Sequence, residues 1–178
     1  NFIRKIAQPH LNEDAEFYDE LKKLLGFSPK KIDQYNKAFT HSSFNLSDKK
    51  GVPVNYERLE FLGDSVLNTV ISAYLYKKVP NASEGYLTQM KSKIVSRDHL
   101  NELGKDLDLI RFVKSNIDKS NVSNNIHGNI FEALVGAIYL DRGYTFCQKF
   151  IHKKVIDLYV DIEKLEGKIT SYKSLIIE

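Results

Sequence analysis

The chain of 178 residues has little of what usually builds special architectures. It has one cysteine, Cys147, so no internal disulfide can form, which points to a reducing compartment. Nine glycines and four prolines exclude collagen-like and low-complexity classes. Tryptophan is absent and methionine occurs once. The longest charge-free apolar stretch, residues 65–76, is 12 residues and contains Ser, Asn and Thr, too short and too polar to span a bilayer. The first residues, Asn1-Phe2-Ile3-Arg4-Lys5, lack both Met and the apolar core of a signal peptide, so a processed chain in the cytoplasm is expected. A large charge of one sign is missing too: 26 basic and 23 acidic residues leave a net +3, which by itself favours an ordinary solvated surface over a nucleic-acid face. The small excess lies in residues 77–119, with 9 basic and 6 acidic side chains.

What is present is helical periodicity. The length suits one domain that can bury roughly 70% of its unfolded surface. Phe17, Leu21, Leu24 and Leu25 follow i, i+4, i+7, i+8, with Asn12 as N-cap and Gly26 as terminator. Ser28-Pro29 is expected to open a second helix reaching residue 41. Residues 42–54 are polar and suit a short helix and a loop. A long helix is expected over residues 55–78, stopped before Pro80. Ser83 starts another to about residue 95, and Ser96 one more to about residue 104. Residues 115–125 suit a surface loop. Residues 126–140 form a helix closed by Gly143, and residues 144–165 a last long one. No stretch alternates as a strand does, so the class is all-α. After Gly167 the chain restarts with an apolar pattern that stops mid-element, as the opening of another module would.

The chemistry-bearing residues are carboxylates. On a helix, Glu60 and Asp64 stand one above the other at i, i+4, and Glu57 precedes Glu60 by three. Leu59, Leu62, Val66 and Val70 form the apolar stripe, so these acids border buried surface. Spacing alone leaves two readings: a solvated acidic face, or oxygen ligands for a divalent cation. Asn129 and Glu132, at i and i+3 on an otherwise apolar helix, favour the second, because a buried carboxylate must be paired, protonated or metal-bound. If the two helices pack together, Glu60, Asp64, Asn129 and Glu132 converge into an oxygen cage that suits Mg²⁺. Ala133, Gly136 and Ala137 allow such close packing.

The eleven residues Glu57-Arg58-Leu59-Glu60-Phe61-Leu62-Gly63-Asp64-Ser65-Val66-Leu67 are very similar to the signature of the ribonuclease III family. Residues 128–141 resemble that family's second acidic motif. Thr40-His41-Ser42-Ser43 and Glu84-Gly85-Tyr86-Leu87-Thr88 resemble two further landmarks, in the right order along residues 13–165.

The resemblance implies an endonuclease domain over residues 1–166 that cleaves double-stranded RNA with Mg²⁺ (Mn²⁺ as an alternative), pairs as a homodimer and leaves 5′-phosphate and 3′-hydroxyl ends. Its roles would be rRNA and mRNA processing. It implies metal ligation by Glu60, Asp64, Asn129 and Glu132, with Asp64 and Glu132 catalytic. Glu57 and Glu84 match supporting or RNA-contacting acids, and Phe61 a dimer-interface position. Residues 167–178 resemble a linker and the start of a truncated double-stranded-RNA-binding domain.

The chemistry expected is in-line hydrolysis with two metals. A-form duplexes are read by shape, through 2′-hydroxyls and phosphates. Lys77, Lys78, Lys91, Lys93 and Arg97 are candidate phosphate contacts, while His41, His99 and His127 are expected to be structural. One position departs from the family pattern: Asn129 stands where the family has Asp, so the cage has three anions rather than four. Three readings stay open, a tolerated natural variant, an inactivating substitution, and a non-catalytic RNA-binding or ribosome-assembly module.

Overall fold

The computed structural model describes residues 3–118, 123–162 and 164, with side chains from residue 13 onward. Among the described residues the protein is all-α. The helices are α1 (Ile3–Leu25), α2 (Ile32–Ala38), α3 (Glu57–Lys78), α4 (Glu84–Ile94), α5 (Arg97–Asp106), α6 (Ile126–Arg142), α7 (Tyr144–Ile151) and α8 (Asp157–Tyr159). Two isolated bridges, Thr40 with Lys114 and Ser47 with Pro53, are the only extended pairings among those residues. None of these helices is long and apolar enough to cross a membrane.

α6 is the hub. Ile130, Phe131, Leu134, Val135 and Ile138 are fully or almost fully buried, and α3, α5, α2 and α7 pack around them. The apolar stripe of α3 faces this core through Leu59, Val66 and Val70, with Leu62 half-buried at its margin.

Two backbone-to-backbone crossings fix the helices around α6. A Cβ on Gly63 of α3 would lie 1.6 Å from the Glu132 carbonyl oxygen, and one on Gly136 would lie 2.3 Å from that of Leu59. A Cβ on Gly104 of α5 would lie 2.2 Å from the His127 carbonyl oxygen. Here α3 and α5 touch α6 without intervening side chains, a separation only glycine permits.

Several local expectations hold. Ser83 and Ser96 are N-caps, accepting from the backbone N–H groups of Tyr86 and His99 at 3.3 Å each. α3 ends at Lys78, one residue short of Val79-Pro80. Gly143 closes α6 with φ +80°.

Others are corrected. α1 starts at Ile3, so Asn12 lies inside it rather than capping it. Ser28-Pro29 does not open α2, which starts at Ile32 and stops at Ala38. Instead Asp141, at the far end of α6, accepts from the backbone N–H groups of Lys30 and Lys31 and from the Tyr35 hydroxyl, at 2.7–3.2 Å. α5 runs to Asp106, beyond Gly104. Residues 144–165 are not one helix: α7 passes through a π-helical turn at His152–Ile156, and Val160 is extended. The wider turn brings Ile151 and Ile156, five apart, into line with Val155 in the core. The module expected over residues 167–178 lies outside the described residues.

Candidate active site

Three elements meet at one cavity of about 280 Å³. α3 contributes Glu60 and Asp64 one turn apart. α6 contributes Asn129 and Glu132. The start of α5 contributes Arg97, Leu100 and Asn101. The Gly63–Gly136 crossing sets the two acidic helices against each other, and the Gly104–His127 crossing brings in α5. Buried Asn101 locks that second junction by accepting from the Gly128 backbone N–H at 2.9 Å.

The crowding shows in proton affinity. Burial, then the charges of Asp64 and Glu60, push the Glu132 carboxyl up to about 8, against the pull of Arg97. Asp64 therefore acts on Glu132 across the helix crossing, adding to the rise that burial starts. Glu60 is raised by burial, by Glu57 and by Asp64, again opposed by Arg97. Asp64 accepts from Asn68 Nδ2 at 2.7 Å. Burial raises the proton affinity of the Tyr56 phenol beside the site, and the Asn129 side chain partly offsets that rise.

As they stand, no three Asp, Glu, His or Cys side chains among the described residues form a group that could hold a metal ion. The donor chemistry nevertheless fits a hard divalent cation. Three carboxylates and the side-chain amide of Asn129 line one cavity, and burial together with the neighbouring acids raises Glu132 to about 8. A divalent ion would supply compensating positive charge.

The remaining predicted residues fall elsewhere. Glu57 is exposed at the start of α3, off the cavity wall, and acts on Glu60 through its charge. Glu84 is exposed on α4, accepting from Thr88 Oγ1 at 3.0 Å, and is not drawn into the cavity. Lys91 and Lys93 lie half-buried on α4. Lys77 and Lys78 border a different cavity with Tyr74, Gln148 and His152. Phe61 is 79% exposed, on solvent rather than in the core. The three histidines sit off the acidic cavity. His41 accepts from the Ser43 backbone N–H, His99 donates to the Ile94 carbonyl at 2.6 Å, and His127 has a buried Nδ1 without a hydrogen-bond partner.

Sequence reasoning missed Tyr56, Asn68 and Asn101. Asn68 was findable, four residues after Asp64 on one helix face. Tyr56 and Asn101 act across the fold and carry no local signal.

A family model described as Ribonuclease-III-like matches residues 32–158. The chain belongs to the ribonuclease III family. It is by that membership a ribonuclease III-type endoribonuclease. It is 62% identical over 176 residues to a Ribonuclease 3 of Zunongwangia profunda, covering 99% of this chain and 72% of that protein. Against a Ribonuclease 3 of Flavobacterium psychrophilum the identity is 59%, over 100% of this chain and 73% of the relative. Among solved structures, the nuclease domain of ribonuclease III from Campylobacter jejuni superposes with a TM-score of 0.71 at 27% identity, over 80% of this chain and 98% of that one. That structure is described as flexible in a region involved in dimer formation. Dicer from Pichia stipitis matches at 31% identity and a TM-score of 0.54, over 78% of this chain and 57% of its own.

Proposed function

We propose that this ribonuclease III-family domain cleaves double-stranded RNA by Mg²⁺-dependent phosphodiester hydrolysis, leaving 5′-phosphate and 3′-hydroxyl ends, as a cytoplasmic homodimer that processes rRNA and mRNA precursors. The observation that carries this is the convergence of Glu60, Asp64, Asn129 and Glu132 on one cavity with Glu132 held protonated to about 8. Those four side chains would hold the cation. When bound, it would supply an acidified water and charge compensation at the phosphate. Arg97 at the rim tempers the acids and would meet a backbone phosphate, and Lys91 and Lys93 on α4 would extend that basic charge. The duplex is read by its A-form shape.

The test is incubation of the purified chain with a long duplex RNA and Mg²⁺. Cleavage that EDTA stops is expected. Asn129→Asp adds a fourth anion and should shift the half-maximal Mg²⁺ concentration down by about an order of magnitude. If neither chain cuts, the hydrolytic reading falls. Asn129, the one uncharged member of the cage, would then favour a domain that binds RNA without cutting it.

Phe61 carries the dimer reading, as a large aromatic 79% exposed on the signature helix. Phe61→Glu should weaken self-association by roughly hundredfold or more, since two symmetric copies each lose about 1.5 kcal/mol of burial. Light scattering would then show the single-chain mass of 20.5 kDa. An unchanged dimer would remove Phe61 from the interface.

A further inference from the structure

A second cavity, of about 260 Å³, lies between the C-terminal end of α3 and the π-helical turn after α7. α3 lines it with Ala73, Tyr74, Lys77 and Lys78, and the other wall is Gln148 and, four residues on, His152. Two ammonium groups, an amide, an imidazole and a phenol therefore surround one space, and all of them can donate hydrogen bonds. Among the described residues, no ion pair or side-chain hydrogen bond engages Lys77, Lys78, Gln148 or His152.

The fold holds these groups in place. The Tyr74 ring meets the His152 ring edge-on, centroids 5.7 Å apart, and both residues are half-buried. His152 also starts the π-helical turn, its carbonyl accepting from the Asp157 N–H five residues on. Such turns re-aim the side chains of a helix and recur at functional sites. Asp157 reaches Tyr74 with its charge, but it is exposed and off the cavity wall. Two lysines outweigh it, so the space favours an anion. A phosphate suits it best, because several oxygens can accept from several donors at once.

The course of α3 indicates whose phosphate. Glu60 and Lys78 stand about five turns apart on this unbroken helix, so both project from one side of it, about 27 Å apart along the axis. A nucleic-acid duplex is stiff and carries a phosphate about every 3.4 Å of each strand. One laid along that side would meet the acids at one end and the lysines at the other.

We propose that the cavity walled by Lys77, Lys78, Gln148 and His152 binds a phosphate group, and that the backbone of a bound RNA duplex supplies it. That source rests on the double-stranded-RNA reading above, whereas the phosphate chemistry of the cavity does not.

Two measurements test it, each on the parent chain and on the Lys77→Gln/Lys78→Gln double variant. In the first, inorganic phosphate is added at fixed pH and ionic strength while the His152 ring C–H signals are followed by NMR. Those signals should shift saturably in the parent and stay put in the variant. Unmoved signals in the parent, or an equal shift in the variant, overturn the proposal. In the second, duplex RNA binding is measured in EDTA across a salt series. The double variant should lower the slope of log affinity against log salt by about 1 or more, and by the same amount for unrelated duplex sequences. Lys22→Gln/Lys30→Gln removes equal charge from exposed lysines off this cavity and should leave the slope nearer the parent's. An equal fall in that control, or no fall in the cavity variant, removes the duplex as the source; a phosphate response that survives would assign the cavity to a free phosphate. A parent chain that binds no duplex sinks the RNA reading, while the phosphate titration still decides the cavity. Lys77 and Lys78 are exposed, so the double variant should melt with the parent. If it does not, the parent's response to phosphate decides alone.

Discussion

Gly63→Ala is expected to leave the domain unfolded, or destabilised by more than about 4 kcal/mol. The added methyl would lie 1.6 Å from the Glu132 carbonyl oxygen, 2.6 Å from its carbon and 2.9 Å from the Gly136 nitrogen. All three are backbone atoms in the middle of α6, which cannot swing aside as a side chain would. The two helices would have to separate, and α6 carries the centre of the core. The same separation would pull Glu60 and Asp64 from Glu132, so stability and site depend on one missing methyl. Gly85→Ala is the control. It sits in the first turn of α4 with nothing within 4 Å of the new Cβ and should be neutral or slightly stabilising. Thermal unfolding followed by circular dichroism compares them. A Gly63→Ala protein melting near the parent would show that the crossing is not tight.

Glu132→Gln should reduce cleavage by about 10² or more while the fold stays intact. Gln matches the carboxyl in size but supplies no charge to the cavity. The same substitution should change how stability depends on pH. In the fold Glu132 holds its proton up to about 8, against an ordinary value of 4.5. The folded protein therefore binds that proton more tightly than the unfolded chain. Its stabilising effect is complete below about pH 4.5, is lost as pH rises towards 8, and stays lost above it. Allowing for the water that still reaches the group, the loss is about 1–3 kcal/mol. Glu60, also raised, contributes with the same sign.

In EDTA the melting temperature of the parent should thus fall between about pH 5 and pH 8, and Glu132→Gln should flatten that slope. Added Mg²⁺ should stabilise the parent more at the upper end, where a cation no longer competes with the proton. Equal slopes in parent and variant would show that Glu132 is not the group under strain.

The signature helix was readable because its information is local. Glu60 and Asp64 need only a helical repeat to share a face, and Ser83 and Ser96 need only reach three residues along the chain to cap. Where the reading failed, a distant group had replaced a near one. Ser28 lost the start of α2 to Asp141, 110 residues away from Lys31. Asn12 lost its capping role because the helix continues past it towards the N-terminus. The last helix broke where burying both Val155 and Ile156 required a wider turn.

By itself the sequence determined the all-α class, the bounds of α3 and α4, the starts of α5 and α6, the family signature, and the acids that line the cavity. These follow from interactions within about four residues, where periodicity and capping act. Tertiary structure alone decided how close α3 and α5 approach α6, that Arg97 faces the acids, that Asn101 ties α5 to the start of α6, and that Glu132 keeps its proton. Those depend on burial and on charges brought together from separate helices, and no stretch of sequence carries the dielectric around a carboxylate or the gap between two backbones.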